Sequence, residues 1–208
     1  MLLIQDPTFE DSILLQEIIL DTCLNAKNGA GVFAFVTADG LNLLMKDPIF
    51  IRFIDNGEFF LVIGMDEITN TRTLSTLETI CDCHPNLIVK AFLHKTKGST
   101  FHPKFCWFEF DDGGFIITGS GNLTQKGLRR NREAFMAERL TNNELQKVKE
   151  RWENWLVCCK DCLKNIDDLE VIEKAKENTQ KAKNNNNKKH KQAPPKKMPS
   201  RKIPTSES

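Results

Sequence analysis

The sequence predicts an α/β domain, a mixed and mostly central β-sheet flanked by helices as an α/β/α sandwich, followed by a disordered C-terminal tail. Three observations predict this. Short apolar runs alternate with amphipathic stretches, the pattern of strands buried on both faces and joined by helices. Asp111-Asp-Gly-Gly114 between two late apolar runs is turn chemistry, so one antiparallel hairpin makes the sheet mixed. Charge divides the 208-residue chain near its end: Glu173 to Ser208 hold 11 Lys/Arg against 3 Asp/Glu, a net of +8, whereas residues 1–172 carry a net of −7. The boundaries drawn from these are a folded domain over 1–170 and a basic tail over 171–208.

The elements follow in order. Leu2 to Ile4 reads as a short first strand. Thr8-Phe-Glu-Asp11 resembles a capping box, with Asp in place of Glu or Gln, and opens a helix to about Lys27. Gly29-Ala-Gly31 stops it, and Val32 to Val36 is a buried strand. A short helix covers Gly40 to Lys46. Phe59 to Ile63 is a second buried strand, ended by Gly64. Leu74, Leu77 and Ile80 give Asn70 to Ile80 helical spacing. Leu87 to Leu93, Phe101 to Phe110 and Phe115 to Thr118 are strand-like. Thr141-Asn-Asn-Glu144 is a second capping box, opening a helix to about Asn165 whose apolar stripe holds Leu145, Val148, Trp152, Trp155, Leu156, Cys159 and Leu163. The tail has almost no large apolar residues, an Asn run and several Pro, so it cannot bury enough surface to offset its ordering entropy. It serves either as a solubilising end or as a nonspecific phosphate-binding arm.

No stretch reaches the ~20 apolar residues of a membrane span. The N-terminus lacks a basic region ahead of an apolar one and does not read as a secretory signal. Seven cysteines, an odd number, argue against a disulfide framework, and the expected location is cytoplasmic.

Chemistry concentrates in residues 101–133. On a strand, His102 and Lys104 point to one face, since side chains alternate. An imidazole beside an ammonium suits an anion, above all a phosphate. Gly119-Ser-Gly-Asn122 follows an apolar run, so small residues at a strand end let N–H groups, a hydroxyl and an amide converge on that anion. No obvious carboxylate ligands for a divalent cation accompany them, and no cofactor is expected. The chemistry suggested is metal-free phosphoryl transfer.

His102-x-Lys104, Gly119-Ser-Gly-Asn122 and Asn131-x-Glu133 together resemble the HxK…GSxN signature of the phospholipase D superfamily. The stretch GSGNLTQKGL…NREA is similar to the pattern of its single-motif nuclease branch, which includes small bacterial endonucleases and metal-independent restriction endonucleases. The resemblance spans roughly residues 1–165. It implies that His102 is the nucleophile, forming a phosphohistidine, while a second motif histidine protonates the leaving oxygen and later activates water. Lys104 and Asn122 would hold non-bridging oxygens, Ser120 would contact phosphate or orient the site, and Glu133 would hold the histidine's other ring nitrogen. Since the chain has one motif, two histidines require a homodimer with one shared site. The superfamily's aspartate five residues after the lysine is Glu109 here.

Other candidates weigh less. His84 reads as a loop residue, and His94, beside Lys95 and Lys97, as a solvated or nucleic-acid-facing group. Cys81-Asp-Cys83-His84 and Cys158-Cys159-Lys-Asp-Cys162 fit zinc spacings poorly, and the latter three cysteines read as apolar residues on one helix. Arg129, Arg130 and Arg132 form either a solvated loop or a rim for the nucleic-acid backbone. The expected activity is thus a metal-independent nuclease acting on nucleic acid, DNA in the first instance. The alternative is a catalytically vestigial nucleic-acid-binding module that acts beside a partner enzyme. Without a second motif or an amphipathic membrane anchor, lipid chemistry ranks third.

Overall fold

The computed structural model describes the backbone of residues 1–192 and the side chains of residues 1–184. Its first half runs β1 (Leu2–Gln5), α1 (Leu15–Cys23), β2 (Asn28–Phe33), α2 (Ala38–Met45), α3 (Pro48–Asn56), β3 (Phe59–Gly64), α4 (Thr71–Cys83) and β4 (Leu87–Phe92). Its second half runs β5 (Lys104–Phe110), β6 (Gly113–Gly119), a π-helical turn Lys126–Arg130, β7 (Glu133–Leu140), α5 (Asn142–Cys158), β8 (Leu163–Asn165) and α6 (Leu169–Gln192). The strands form one mixed sheet in the order β1-β7-β6-β5-β2-β3-β4-β8, with β2, β3 and β4 parallel and every other pairing antiparallel. This is the expected α/β/α sandwich.

The two faces are covered unequally. Leu15 and Ile19 of α1, Leu41 of α2, Phe50 of α3, Leu77 of α4 and Val171 of α6 all join one core with the sheet. Only α5 covers the other face, through Leu145 and Trp152 against Val32, Val62 and Trp107. Phenylalanine fills the larger core: Phe50, Phe53, Phe59 and Phe108 meet at centroid distances of 5.4–5.9 Å. Gly29 and Gly31, expected to stop a helix, instead belong to β2. A Cβ on Gly29 would lie 2.7 Å from the Trp107 carbonyl oxygen and 3.0 Å from the Phe108 ring. Glycine is therefore what lets the aromatic rings close over this strand.

Several boundaries differ from expectation, each for a local reason. Thr8 does not cap a helix, because its hydroxyl and N–H both donate to Asp6 Oδ1, and α1 begins only at Leu15. The helix ends at Cys23 because the Lys27 N–H is drawn to the Glu109 carbonyl and the chain enters β2. Helix α3 went unread although Asp47 caps it, accepting from the Ile49 N–H, and Pro48 starts it. Thr141 and Glu144 do form the expected capping box. Yet α5 stops at Cys158, and Cys162 sits in a following 3-10 turn, so the three cysteines do not share one helix. Strands β7 and β8 also went unread.

The tail departs from expectation over its first part. Residues 171–192 continue a helix rather than starting a disordered segment. Val171 and Ala175 are fully buried, and Asn178 Nδ2 donates to the carbonyls of Met65 (2.9 Å) and Thr69 (2.8 Å). Apolar residues spaced by four and one buried amide suffice to dock an otherwise polar helix. The rest of the expected tail, 193–208, lies outside the described residues. No helix among the described residues is long and apolar enough to cross a membrane.

Replacing Asn178 by Ala leaves two buried carbonyls without donors, so we expect a loss of about 2 kcal/mol. A lowered urea midpoint with an unchanged m-value checks this.

Candidate functional site

The strand directions gather the site. β5 and β7 begin at the sheet end where β2, β3, β4 and β6 finish. Residues just before β5, just after β2 and β6, and at the start of β7 therefore meet, although they are far apart in sequence. Three backbone links close the junction. Ala34 N–H donates to the Pro103 carbonyl at 2.9 Å, Thr37 N–H donates to Leu123 O at 3.1 Å, and Ser120 N–H donates to Ala134 O at 3.0 Å.

His102 lies two residues before β5, so the strand alternation that was expected to pair it with Lys104 does not operate. The pair forms by another route. Lys104 faces the larger core, where its stem is buried, and its ammonium emerges at the rim. There Nζ lies 3.0 Å from both ring nitrogens of His102 and 3.1 Å from its carbonyl oxygen. The Phe35 ring holds the imidazole edge-on, with centroids 5.7 Å apart, and the ammonium is 6.0 Å from the same ring. Burial lowers the Lys104 pKa from its ordinary value, and the Glu133 carboxylate partly opposes this.

Asn122 is oriented by the backbone. Its Oδ1 accepts the Phe35 N–H at 3.0 Å, so the other end of the amide, Nδ2, is the donor left for a ligand oxygen. The glycines of the signature keep this loop tight: a Cβ on Gly127 would lie 2.4 Å from the Asn122 carbonyl oxygen, and one on Gly121 would lie 2.4 Å from Leu15 Cδ2.

Glu133 occupies a different position from the one implied by the resemblance. It makes no hydrogen bond to His102 of its own chain. Ser120 Oγ donates to its Oε2, and Asn131 Nδ2 donates to its Oε1 at 2.9 Å. Ser120 also accepts the Ala134 N–H at 3.1 Å, so its hydroxyl braces Glu133. Arg129 and Arg130 are exposed on the π-helical turn between Asn122 and Glu133. Arg132 is exposed as well, and its Nε lies 2.7 Å from Asp6 Oδ2.

Sequence reasoning missed two residues. Phe35 stood inside an apolar run read as strand, with no mark of its contact to histidine. Gln5 is fully buried: its Nε2 donates to the carbonyls of Gly127 and Asn131, and its Oε1 accepts the Leu15 N–H. It anchors the loop carrying the site from the far edge of the sheet. A polar residue closing an apolar strand was the only available signal.

The remaining candidates have structural employment. His94 lies with Nε2 3.3 Å from Asp66 Oδ2, and its Nδ1 accepts the Thr96 N–H at 3.3 Å. His84 pairs with Asp55 at 2.8 Å. Glu109, at the superfamily's aspartate position, binds Lys149 at 3.1 Å and thereby ties α5 to β5. Among the described residues no three His, Cys, Asp or Glu side chains gather as a cation site.

No family model matches the chain, and no curated protein matches it. Solved structures do. Nuc from Salmonella typhimurium, a phospholipase D family member, is similar over 79% of this chain and 96% of its own, at 15% identity and TM-score 0.55. NucT from Helicobacter pylori is similar over 76% of this chain and 96% of its own, at 14% identity and TM-score 0.52. A phosphatidylserine synthase from Haemophilus influenzae is similar over 78% of this chain but only 39% of its own, at 13% identity and TM-score 0.51. The fold implied by the signature is thus the fold present.

Asn122→Asp keeps the oxygen that accepts the Phe35 N–H but replaces the free donor by a charged acceptor. We expect inorganic phosphate to bind at least about tenfold more weakly, by calorimetry, with little change in melting temperature.

Proposed function

We propose that the chain, sharing its fold with a phospholipase D family member, is a metal-independent phosphodiesterase that hydrolyses nucleic-acid strands, DNA in the first instance. The support lies in the convergence of a histidine nucleophile candidate, a half-desolvated ammonium and a backbone-oriented amide donor on one rim. Three such groups provide what phosphoryl transfer needs when no metal holds the phosphate: a nucleophile, a positive charge and a directed donor.

In the first step a His102 ring nitrogen attacks phosphorus, and the bond to the leaving oxygen breaks. A second imidazole gives that oxygen its proton. In the second step the same imidazole takes a proton from water, the hydroxide oxygen bonds to phosphorus, and the bond to His102 breaks. Lys104 and Asn122 hold the two non-bridging oxygens throughout.

The second imidazole is assigned to another copy, because the chain carries one His-x-Lys motif and His94 leans on Asp66 instead, at 3.3 Å. Glu133, braced by Ser120 and Asn131 and unbonded to its own His102, fits the same reading as the group that would orient His102 of a second copy across a two-fold axis. The homodimer then contains one site with two histidines and two such carboxylates.

Purified protein should cleave DNA in excess EDTA, and His102→Ala should lower the rate by roughly a thousandfold or more. Cleavage that needs added metal, or that persists in the variant, would falsify the proposal. Binding without turnover would instead favour the vestigial module.

The lowered pKa of Lys104 sets a pH dependence. The cation is present below that pKa and is lost as pH rises through it. On the alkaline side kcat/KM should therefore fall at a pH below the ordinary lysine value of about 10.4. Lys104→Arg, which stays charged, should remove that limb from the pH–rate profile even where it lowers the overall rate.

A further inference from the structure

Beside His102, on the sheet face covered by α5 alone, an open groove of about 670 Å³ runs between α5 and segment 94–103. His102 and Pro103 form part of its lining, so it is continuous with the candidate site. Its size falls within the ~300–1,000 Å³ of typical small-molecule sites. The walls are aromatic. Phe92 and Phe101 stack with centroids 4.0 Å apart and planes 13° apart, and Trp155 lies nearly parallel to Phe92, 9° off at 6.0 Å. On α5, Val148, Arg151, Trp152 and Trp155 recur at helical spacing along one wall. Trp107 also lines the groove, and its indole Nε1 is buried with no hydrogen-bond partner.

We propose that this groove is a nucleobase slot, taking one unstacked base next to the phosphodiester held by His102 and Lys104. This rests on the nuclease reading above and deepens it: the substrate is single-stranded or locally opened nucleic acid. Parallel ring planes suit a flat π-face, and base–aromatic stacking is tolerant of base identity. Arg151 in the groove wall, and Lys104 beside the His102 that lines it, supply positive charge for the phosphates flanking a stacked base. A base inside a duplex is paired and stacked on both faces, so it must leave the helix before it can enter a groove walled on two sides. An acyl chain would gain from the apolar area alone, whereas a base also uses the parallel ring planes.

The test uses the full chain in EDTA with end-labelled single-stranded oligonucleotides of one sequence, either intact or carrying one abasic residue beside a cleaved bond. The slot requires kcat/KM at that bond to fall about tenfold or more on the abasic strand. Trp155→Ala should lower cleavage of the intact strand to the abasic level and leave the abasic rate unchanged, while Trp155→Phe should restore the preference. Equal cleavage of both strands by the unaltered protein overturns the slot while leaving the nuclease reading intact. If Trp155→Ala abolishes cleavage of both strands and converts a dimer to a monomer in sedimentation, the groove is the contact between copies and the slot is overturned. Trp155-dependent hydrolysis of phosphatidylcholine vesicles overturns it in favour of lipid. If neither strand is cut, the nuclease reading fails. The slot then stands or falls on whether the intact strand, and not an abasic one of the same length, quenches tryptophan fluorescence in His102→Ala.

Discussion

The Phe35 N–H donates to Asn122 Oδ1 at 3.0 Å, joining the end of β2 to the loop after β6. That contact decides which end of the amide faces a ligand. A primary amide has one acceptor and one donor end, and a backbone N–H can satisfy only the former. It also sets Phe35, whose ring meets both the His102 imidazole and the Lys104 ammonium. One hydrogen bond thus couples three groups from three separate stretches of chain. The parallel β2–β3–β4 unit and the antiparallel β5–β6–β7 unit share β2 and β5 as neighbours, and that junction makes the coupling possible.

The site's electrostatics depend on unequal burial. Lys104 is set into the core end while His102 beside it is exposed. Burial weakens the lysine's hold on its proton, and Glu133 strengthens it. A charge kept partly dry interacts more strongly with a phosphate than one fully in water, because the local dielectric is lower. Glu133 in turn is kept off its own His102 by Ser120 and Asn131. The same carboxylate therefore sustains the Lys104 cation while Ser120 and Asn131 fix its position.

The parallel core was legible in part: β3 is a short apolar run ended by Gly64, whereas β2 opens on Asn28-Gly-Ala-Gly31, whose glycines read locally as a helix stop. The candidate set was legible because His102, Lys104, Ser120, Asn122 and Glu133 occur within about thirty residues of sequence. What stayed hidden was non-local. β7 alternates buried and exposed residues only weakly and is recognised by its pairing with β6 and β1. β8 is three residues long and exists through β4. The docking of α6 hinges on Val171, Ala175 and Asn178 within a sequence whose composition alone argues for disorder. Gln5 reaches Gly127 and Asn131, and Phe35 reaches His102, partners more than 60 residues away that no local pattern records.

Charge placement adds a last constraint on how a polyanion would reach the site. Residues 1–172 carry a net of −7, so most of the body repels nucleic acid, while Glu173 to Ser208 carry +8. Helix α6 is anchored where Asn178 grips the carbonyls of Met65 and Thr69, in the loop just after β3. That loop lies at the same sheet end as His102, and its Asp66 accepts the Phe101 N–H at 2.6 Å. The basic segment thus begins from the site-bearing end and not from the opposite pole. Fields from exposed charges fade over about 8 Å at physiological salt, so position matters as much as total charge. For a polyanionic ligand such an arrangement would raise encounter at one rim and act on association rates, leaving any chemical step to the geometry at His102, Lys104 and Asn122.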